Sequence, residues 1–469
     1  QDAGKRKCCS QITSFFRRNM LKYLEGGAAM KRRIKLLCLL LMLAAILSGC
    51  SMRTVEQMYR LPKRSKDYNN LQSVIDNAMT DLTYCAPIAG ENRQSVQLAD
   101  LDGDEQPEYL LFAKGTHEKP LRILVFKETE DTFVNVCTAE CNGSAFDQVE
   151  YVNMDGKAGL EIIVGRQLND QVIRSASVYS FFNGELVQLV SANYTKFLTT
   201  DLNSDSNVEL FILRPGQTET DNGMAELYHV KNGVMERSNE VNLSQPTEKL
   251  KRIVAGKLDG GKAAVYVASA VGDNALMTDV YTLFEDRLAN VTLSNESGTS
   301  IHTMRNFYVY ADDIDNDGIV ELPSLLVMKP LDGIMSADMH QLIRWYAMKP
   351  DGDEVDKMYT YHNFLGGWYM QVDSAWASRL VVLDFGAYTE FRLWDKQYEK
   401  TEKLVTVYSL TGQNREEQRL SEDQFVLHKT ESTIYVAQLA EGGQKHGLTQ
   451  ESVIYSFRMI QKDWKTGET

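Results

Sequence analysis

Between residues 94 and 330 the apolar positions fall in short runs separated by polar turns, a spacing that predicts β-strands rather than helices. The runs are Tyr109 to Ala113, Ile162 to Val164, Leu210 to Leu213, Tyr266 to Ala268 and Leu325 to Val327. A small loop, mostly acidic, precedes each one. A hairpin signal follows about 30 residues after the loop begins: Glu130-Asp131, Asn183-Gly184, Asn232-Gly233, Glu285-Asp286 and, later, Asp351-Gly352. Asn-Gly and Asp-Gly favour the positive φ angles of two-residue hairpin turns. A strand into the loop, a strand out of it and a hairpin make four strands per repeat. Helical spacing appears once outside the signal region, at Leu71, Val74, Ile75, Ala78 and Leu82, and predicts a short helix over 67–82.

The loops share more than position. Asp100, Asp102, Asp104 and Glu108 recur as Asn153, Asp155 and Glu161, as Asp201, Asn203, Asp205 and Glu209, and as Asp313, Asp315, Asp317 and Glu321. A fourth loop, Lys257-Leu258-Asp259-Gly260, keeps the place but not the acids. Position 1 thus falls at 100, 153, 201, 257 and 313, and in four of these five repeats an acid stands eight residues later. Four-stranded units in series bury both faces only by stacking on one another, which predicts an all-β fold, a β-propeller.

The motif and period resemble the FG-GAP and VCBS repeats of integrin-α-like propellers. The resemblance covers residues 91–330 as five blades. Beyond 330 the acidic loop vanishes, but β-rich segments continue, from Trp368 to Val372 through Val453 to Ile460. They predict degenerate blades over 331–465 and seven blades in all, with six and eight left open by the spacing. The resemblance implies that calcium is held at positions 1, 3, 5 and 9 of the better loops. Hard oxygens on one tight loop suit an ion that takes 6–8 oxygen ligands. Residues Asp100, Asp102, Asp104, Glu108, Asp201, Asn203, Asp205, Glu209, Asp313, Asp315, Asp317 and Glu321 are the expected ligands, and the loop of Asp313 is the best formed. In the second loop Lys157 stands at position 5, and in the fourth the Lys257 ammonium is placed to replace a cation. An EF-hand is excluded, because position 12 is Leu111 or Ser324 where that loop needs Glu.

The N-terminal region carries a different pattern. Lys31, Arg32, Arg33 and Lys35 precede an apolar run from Leu36 to Leu47, which ends in Leu47-Ser48-Gly49-Cys50. This is the layout of a secretory signal, and the run is shorter than the roughly 20 residues of a spanning helix. Leu-Ser-Gly-Cys resembles the lipobox of bacterial lipoproteins. It implies cleavage before Cys50, a lipid on its thiol and anchorage on the extracytoplasmic face of the cell membrane. The expected order is leader sequence at 1–29, signal peptide at 30–49, lipidated tether at 50–66, helix and lead-in at 67–90, then the blades.

Charge sharpens the picture. Residues 1–50 hold 10 of the 50 basic and 2 of the 64 acidic residues, so the part after the signal carries a net charge of −22. Such a surface repels nucleic acid and attracts cations. Apart from Cys50 that part keeps Cys85, Cys137 and Cys141, an odd number that makes no disulfide framework. Cys137 and Cys141 are read as small residues packed in a strand. No nucleophile elbow, phosphate-binding loop or His-Glu-x-x-His motif is present, and no catalytic residue is assigned. Gly366-Gly367-Trp368-Tyr369 sets aromatics beside exposed backbone, so Trp368 and Tyr369 are the candidate ligand contacts. The function expected is a non-catalytic, envelope-anchored module that binds a protein or glycan. A glycan-active lyase or hydrolase on the same scaffold, and a structural subunit of an envelope assembly, are the alternatives.

Overall fold

The computed structural model describes residues 66–460, apart from 131, 169–172, 219, 232, 329–340, 396–399 and 419–422. The expected leader, the signal and Cys50 lie outside the described residues. The chain divides into two compact units after Asn69, and all the sheets belong to the second, residues 70–469.

The fold is all-β. Among the described residues six antiparallel sheets of four or five strands follow one another along the chain. The second is typical: Ala145–Val152 leads into an acidic loop, Glu161–Gln167 leaves it, and Arg174–Phe182 and Glu185–Tyr194 form the hairpin. Asn183 and Gly184 both adopt positive φ at that turn, as the sequence predicts. Glu285 and Asp286 do the same in the fourth sheet, at 46° and 65°, without a glycine.

Strand residues alternate sides, and each of the first five sheets contributes to at least two separate buried clusters. In the first sheet Leu110 and Phe112 point toward Phe146, Ile162 and Val164 of the second. Their neighbours Leu111 and Ala113 point the other way, onto Leu71 and Ile75. Those two residues lie on the predicted helix, which runs Lys66–Ala78. The pattern repeats down the chain. Ile163 meets Leu210 and Ile212, Phe211 and Leu213 meet Val265 and Val267, and Ala264 and Tyr266 meet Leu322 and Tyr346. The last contact brings Tyr361 and Trp368 of the fifth sheet onto Leu380 and Phe391 of the sixth.

Among the described residues there are six sheets, beside the seven blades expected with six and eight left open, and the C-terminal strands account for the difference from seven. Trp368–Val372 does not open a new unit. It is the fourth strand of the fifth sheet, paired with Glu354–Asn363. The segment 453–460 is not one strand either. Thr449 caps a short helix, Gln450–Ser456, through a reciprocal capping box with Ser452. Only Phe457–Met459 is extended, and it adds a fifth strand beside Trp368–Met370. The remaining strands, from Leu380–Asp384 to Thr433–Leu439, make the single sixth sheet.

Candidate cation loops and the adjoining cleft

All five loops share one buried position. Position 2 is always apolar and buried: Leu101, Met154, Leu202, Leu258 and Ile314. In the four acidic loops the N–H of that residue donates to the glutamate at position 9. Leu101 reaches Glu108 Oε2 at 2.8 Å, Met154 reaches Glu161 at 2.8 Å, Leu202 reaches Glu209 at 2.7 Å and Ile314 reaches Glu321 at 3.1 Å. The glutamate also begins the outgoing strand in each case. Its side chain is therefore fixed by backbone, buried and turned back under the loop.

The aspartates above it brace the turn. In the fifth loop Asp313 accepts from Asp317 N–H at 3.0 Å and from Gly318 N–H at 2.9 Å, while Asp317 accepts from Ile319 N–H at 2.8 Å. Asn316 and Gly318 take positive φ to turn these N–H groups inward. In loops one, three and five, position 1, a second aspartate and the position-9 glutamate place carboxylate oxygens within 4.8 Å of one another. The groups are Asp100, Asp102 and Glu108; Asp201, Asp205 and Glu209; Asp313, Asp315 and Glu321.

The three clusters differ at their centres. In the first, Lys127 extends its ammonium into the loop, onto Asp102, to 2.8 Å from Asp104 and to 3.3 Å from Glu108. Burial works against that charge, but the three carboxylates hold Lys127 well above the ordinary lysine value. This loop was expected to take calcium through Asp100, Asp102, Asp104 and Glu108, and a protein cation, Lys127, stands among those oxygens. In the third, Asn203 donates from its amide to Asp205 and to Glu209 Oε1, both at 2.9 Å. In the fifth, Glu321 Oε1 is buried without a hydrogen-bond partner. Burial pushes the carboxyls of Glu209 and Glu321 up to about 7. An orphaned buried carboxylate oxygen beside two further carboxylates fits a hard divalent cation, which would satisfy it and favour its ionised form. The fifth loop meets that test best.

The poorer loops are also explained. Lys157 pairs with Asp155 inside the second. In the fourth, the ammonium that meets Asp259 belongs to Lys357, at 3.1 Å, rather than to Lys257 at position 1. Lys357 also approaches Asp317 of the fifth loop at 3.5 Å.

A cleft of about 300 Å³ opens directly beside the fifth loop. Asp313, Asp315, Tyr369, Gln371, Tyr455 and Arg458 are among the residues that line it. Strand alternation decides which aromatic faces it. Trp368 points inward, is 1% exposed and stacks on Phe457 at 5.3 Å, so it is a core residue and not the ligand contact expected of it. Tyr369, its neighbour, lines the cleft and lies opposite Arg458 in the strand register. The Arg458 guanidinium sits over the Tyr455 ring at 5.0 Å.

No family model matches the chain, and no curated protein matches it. Solved structures that match the chain include an exotype rhamnogalacturonan lyase, YesX, at 13% identity and a TM-score of 0.28 over 69% of this chain. The chain spans 65% of that lyase's length. A Bacillus licheniformis rhamnogalacturonan lyase is matched at 12% identity and a TM-score of 0.27, over 69% of this chain and 72% of the other. Saccharomyces cerevisiae Sqt1 is matched at 7% identity and a TM-score of 0.29, over 76% of this chain and the whole of the other. Likenesses of this size bear on neither activity nor ligand.

Three features of the site escape the loop motif. Lys127 and Lys357 arrive from strands of the repeat hairpins and contact the loops only across the sheet. Arg458 arrives from the C-terminal strand. The buried position 2, by contrast, was there to be read, since all five loops carry an apolar residue at that place. Cys85, Cys137 and Cys141 are free thiols, with Cys141 Sγ 3.2 Å from the Tyr179 hydroxyl.

Proposed function

We propose that this chain is an envelope-anchored lipoprotein whose sheets form a calcium-braced propeller and whose cleft beside the fifth loop binds an extracellular ligand. The observation that carries this reading is the shared wall. Asp313 and Asp315 belong both to the cation cluster and to the cleft. A calcium ion held there would supply a Lewis-acidic charge at the edge of a ligand-sized recess. Tyr369 offers a ring face, Gln371 an amide and Arg458 a fixed cation. The chain's own residues thus provide orientation and charge rather than a nucleophile.

Cys50 in its Leu-Ser-Gly-Cys setting supports the anchored address, and calcium is abundant outside the cell. Ring closure of the six sheets, with the N-terminal helix on the free face of the first, is part of the same proposal. The ligand is a protein or a glycan. A glycan-active enzyme on this scaffold is the second reading, because a cation, an arginine and tyrosines in one recess also suit proton abstraction from an acidic sugar.

Metabolic labelling with palmitate tests the anchor: the full chain takes up label and Cys50→Ser does not. A glycan array with calcium tests the binding role. Retention of a glycan without change supports the module, and released products establish the enzyme. Loss of all retention, with capture of envelope protein unaffected by Tyr369→Ala, contradicts a ligand cleft at this place.

A further inference from the structure

We infer that the cleft beside the fifth loop takes a carboxylated saccharide, a uronic-acid residue held between a loop-bound cation and Arg458. This rests on the binding role proposed above and names its ligand class.

The geometry sets the chemistry. The fifth loop presents three carboxylates, from Asp313, Asp315 and Glu321. A calcium ion takes 6–8 oxygens, so these three side chains and Asp317, each binding through one atom, supply four at most and leave positions open. Glu321 lies beneath the ion position and is fully buried, whereas Asp313 and Asp315 border the cleft. The open positions therefore face the cleft, where an oxygen-rich ligand would complete the shell.

Arg458 gives the second charge. Its Nη1 donates to the Phe457 carbonyl at 2.8 Å, and among the described residues no carboxylate pairs with it. A guanidinium fork with donors to spare binds a carboxylate through paired hydrogen bonds. Tyr369 lines the same cleft, and its ring is stacked on buried His362 at 4.9 Å and so held in place from behind. Tyr455, 71% exposed, closes the other side under Arg458. Flat aromatic faces with a polar tip suit the C–H faces of a sugar ring. A cleft of about 300 Å³ is at the small end of ligand sites and matches one or two such rings.

Net charge argues for the same pairing. A chain carrying −22 after its signal repels an anionic polymer everywhere except where fixed cations gather. Binding of a polyuronate here must therefore depend on calcium and weaken with salt. A neutral sugar would have no use for either cation, and a cationic sugar would be drawn to the aspartates without calcium.

Calorimetric titration of the full chain with trigalacturonate, with its methyl ester and with a Glu-rich peptide tests this, in millimolar calcium and in EGTA. Calcium titration of the same samples reads the loop separately. The expected result is binding of trigalacturonate in calcium only, with the ester and the peptide at least about tenfold weaker, the worth of one charge-assisted contact. Arg458→Ala lowers trigalacturonate affinity by about tenfold and leaves calcium affinity and melting temperature unchanged. Tyr455→Ala, at an exposed position, weakens the sugar and not the ion. Calcium binding with no preference for the acid over the ester, or with the peptide bound as tightly, overturns the inference and leaves the binding role standing. Absence of calcium binding overturns both.

Discussion

Glu321 accepts a hydrogen bond from the Ile314 N–H at 3.1 Å through one carboxylate oxygen and leaves the other buried with no partner. A carboxylate so placed is costly unless a cation meets it. Glu321→Gln keeps an acceptor for Ile314 and removes the charge. The calcium-free variant is expected to melt several degrees above calcium-free wild type at pH 8, given about 2–4 °C per kcal/mol in a chain of this size. Thermal melts in EDTA check this, and a lower melting temperature for the variant contradicts it.

The same burial makes calcium binding pH-dependent. Glu209 and Glu321 have folded-state values raised from the ordinary 4.5 to about 7. A raised group contributes stability that is full below pH 4.5 and lost as pH rises through about 7. Calcium requires the ionised form and releases the proton. Its apparent affinity is therefore expected to strengthen from pH 6 to pH 8, with proton release visible as a buffer-dependent heat. An affinity that is flat across this window refutes the assignment.

Lys127 lies among Asp102, Asp104 and Glu108 as a built-in cation. Lys127→Met removes it and leaves the stem. The variant is expected to lose stability in EDTA by about 1–3 kcal/mol, because buried Glu108 loses its partner, and to bind one more calcium ion than wild type. Calcium stoichiometry and melts in EDTA read the two effects. An unchanged stoichiometry would show that the lysine does not hold the place of a metal.

His362 is buried among Trp345, Phe364 and Tyr369, and burial pushes its imidazole down to about 3 from 6.5. The unfolded chain takes up a proton below 6.5 that the folded chain resists, so stability present above pH 6.5 is lost as pH falls toward 3. His362→Phe should shrink that loss by on the order of 2 kcal/mol at pH 4. Denaturant melts at pH 7 and pH 4 give the comparison, and parallel curves for the two proteins would be the contrary result.

The loops also join the sheets. The Asp100 carbonyl accepts from Leu160 N–H at 3.1 Å, Asn153 from Val208 at 3.0 Å and Lys257 from Val320 at 3.0 Å. Each bond links position 1 of one loop to position 8 of the next acidic loop in the series. Gly159 makes the first such contact possible, since a Cβ there would stand 2.3 Å from the Leu101 carbonyl oxygen. Gly159→Ala should cost about 1–3 kcal/mol by overpacking, measured as a drop in denaturant midpoint. A neutral effect would mean that the loops are not in register with one another.

The repeats were legible because each carries several independent marks. The acids at fixed spacing, the apolar runs and Asn183-Gly184 all point to one four-stranded unit. Where a single mark had to serve, the reading failed. Trp368 and Tyr369 differ only in strand phase, and phase depends on the pairing with Glu354–Asn363 that the local sequence does not reveal. The segment after Thr449 has an apolar content that suits strand or helix, and the cap formed with Ser452 decides for a helix first. Lys127 and Lys357 reach their acids across strands, at separations set by sheet register rather than by any local motif.

A cation in the fifth loop would both brace that loop and charge the edge of the cleft. Calcium titration by calorimetry at pH 7.5, on wild type and on Glu321→Gln, tests it most directly. Saturable binding by wild type, lost in a variant that keeps its folded β-signature, is the predicted result. Equal binding by both proteins, or none by either, would contradict it.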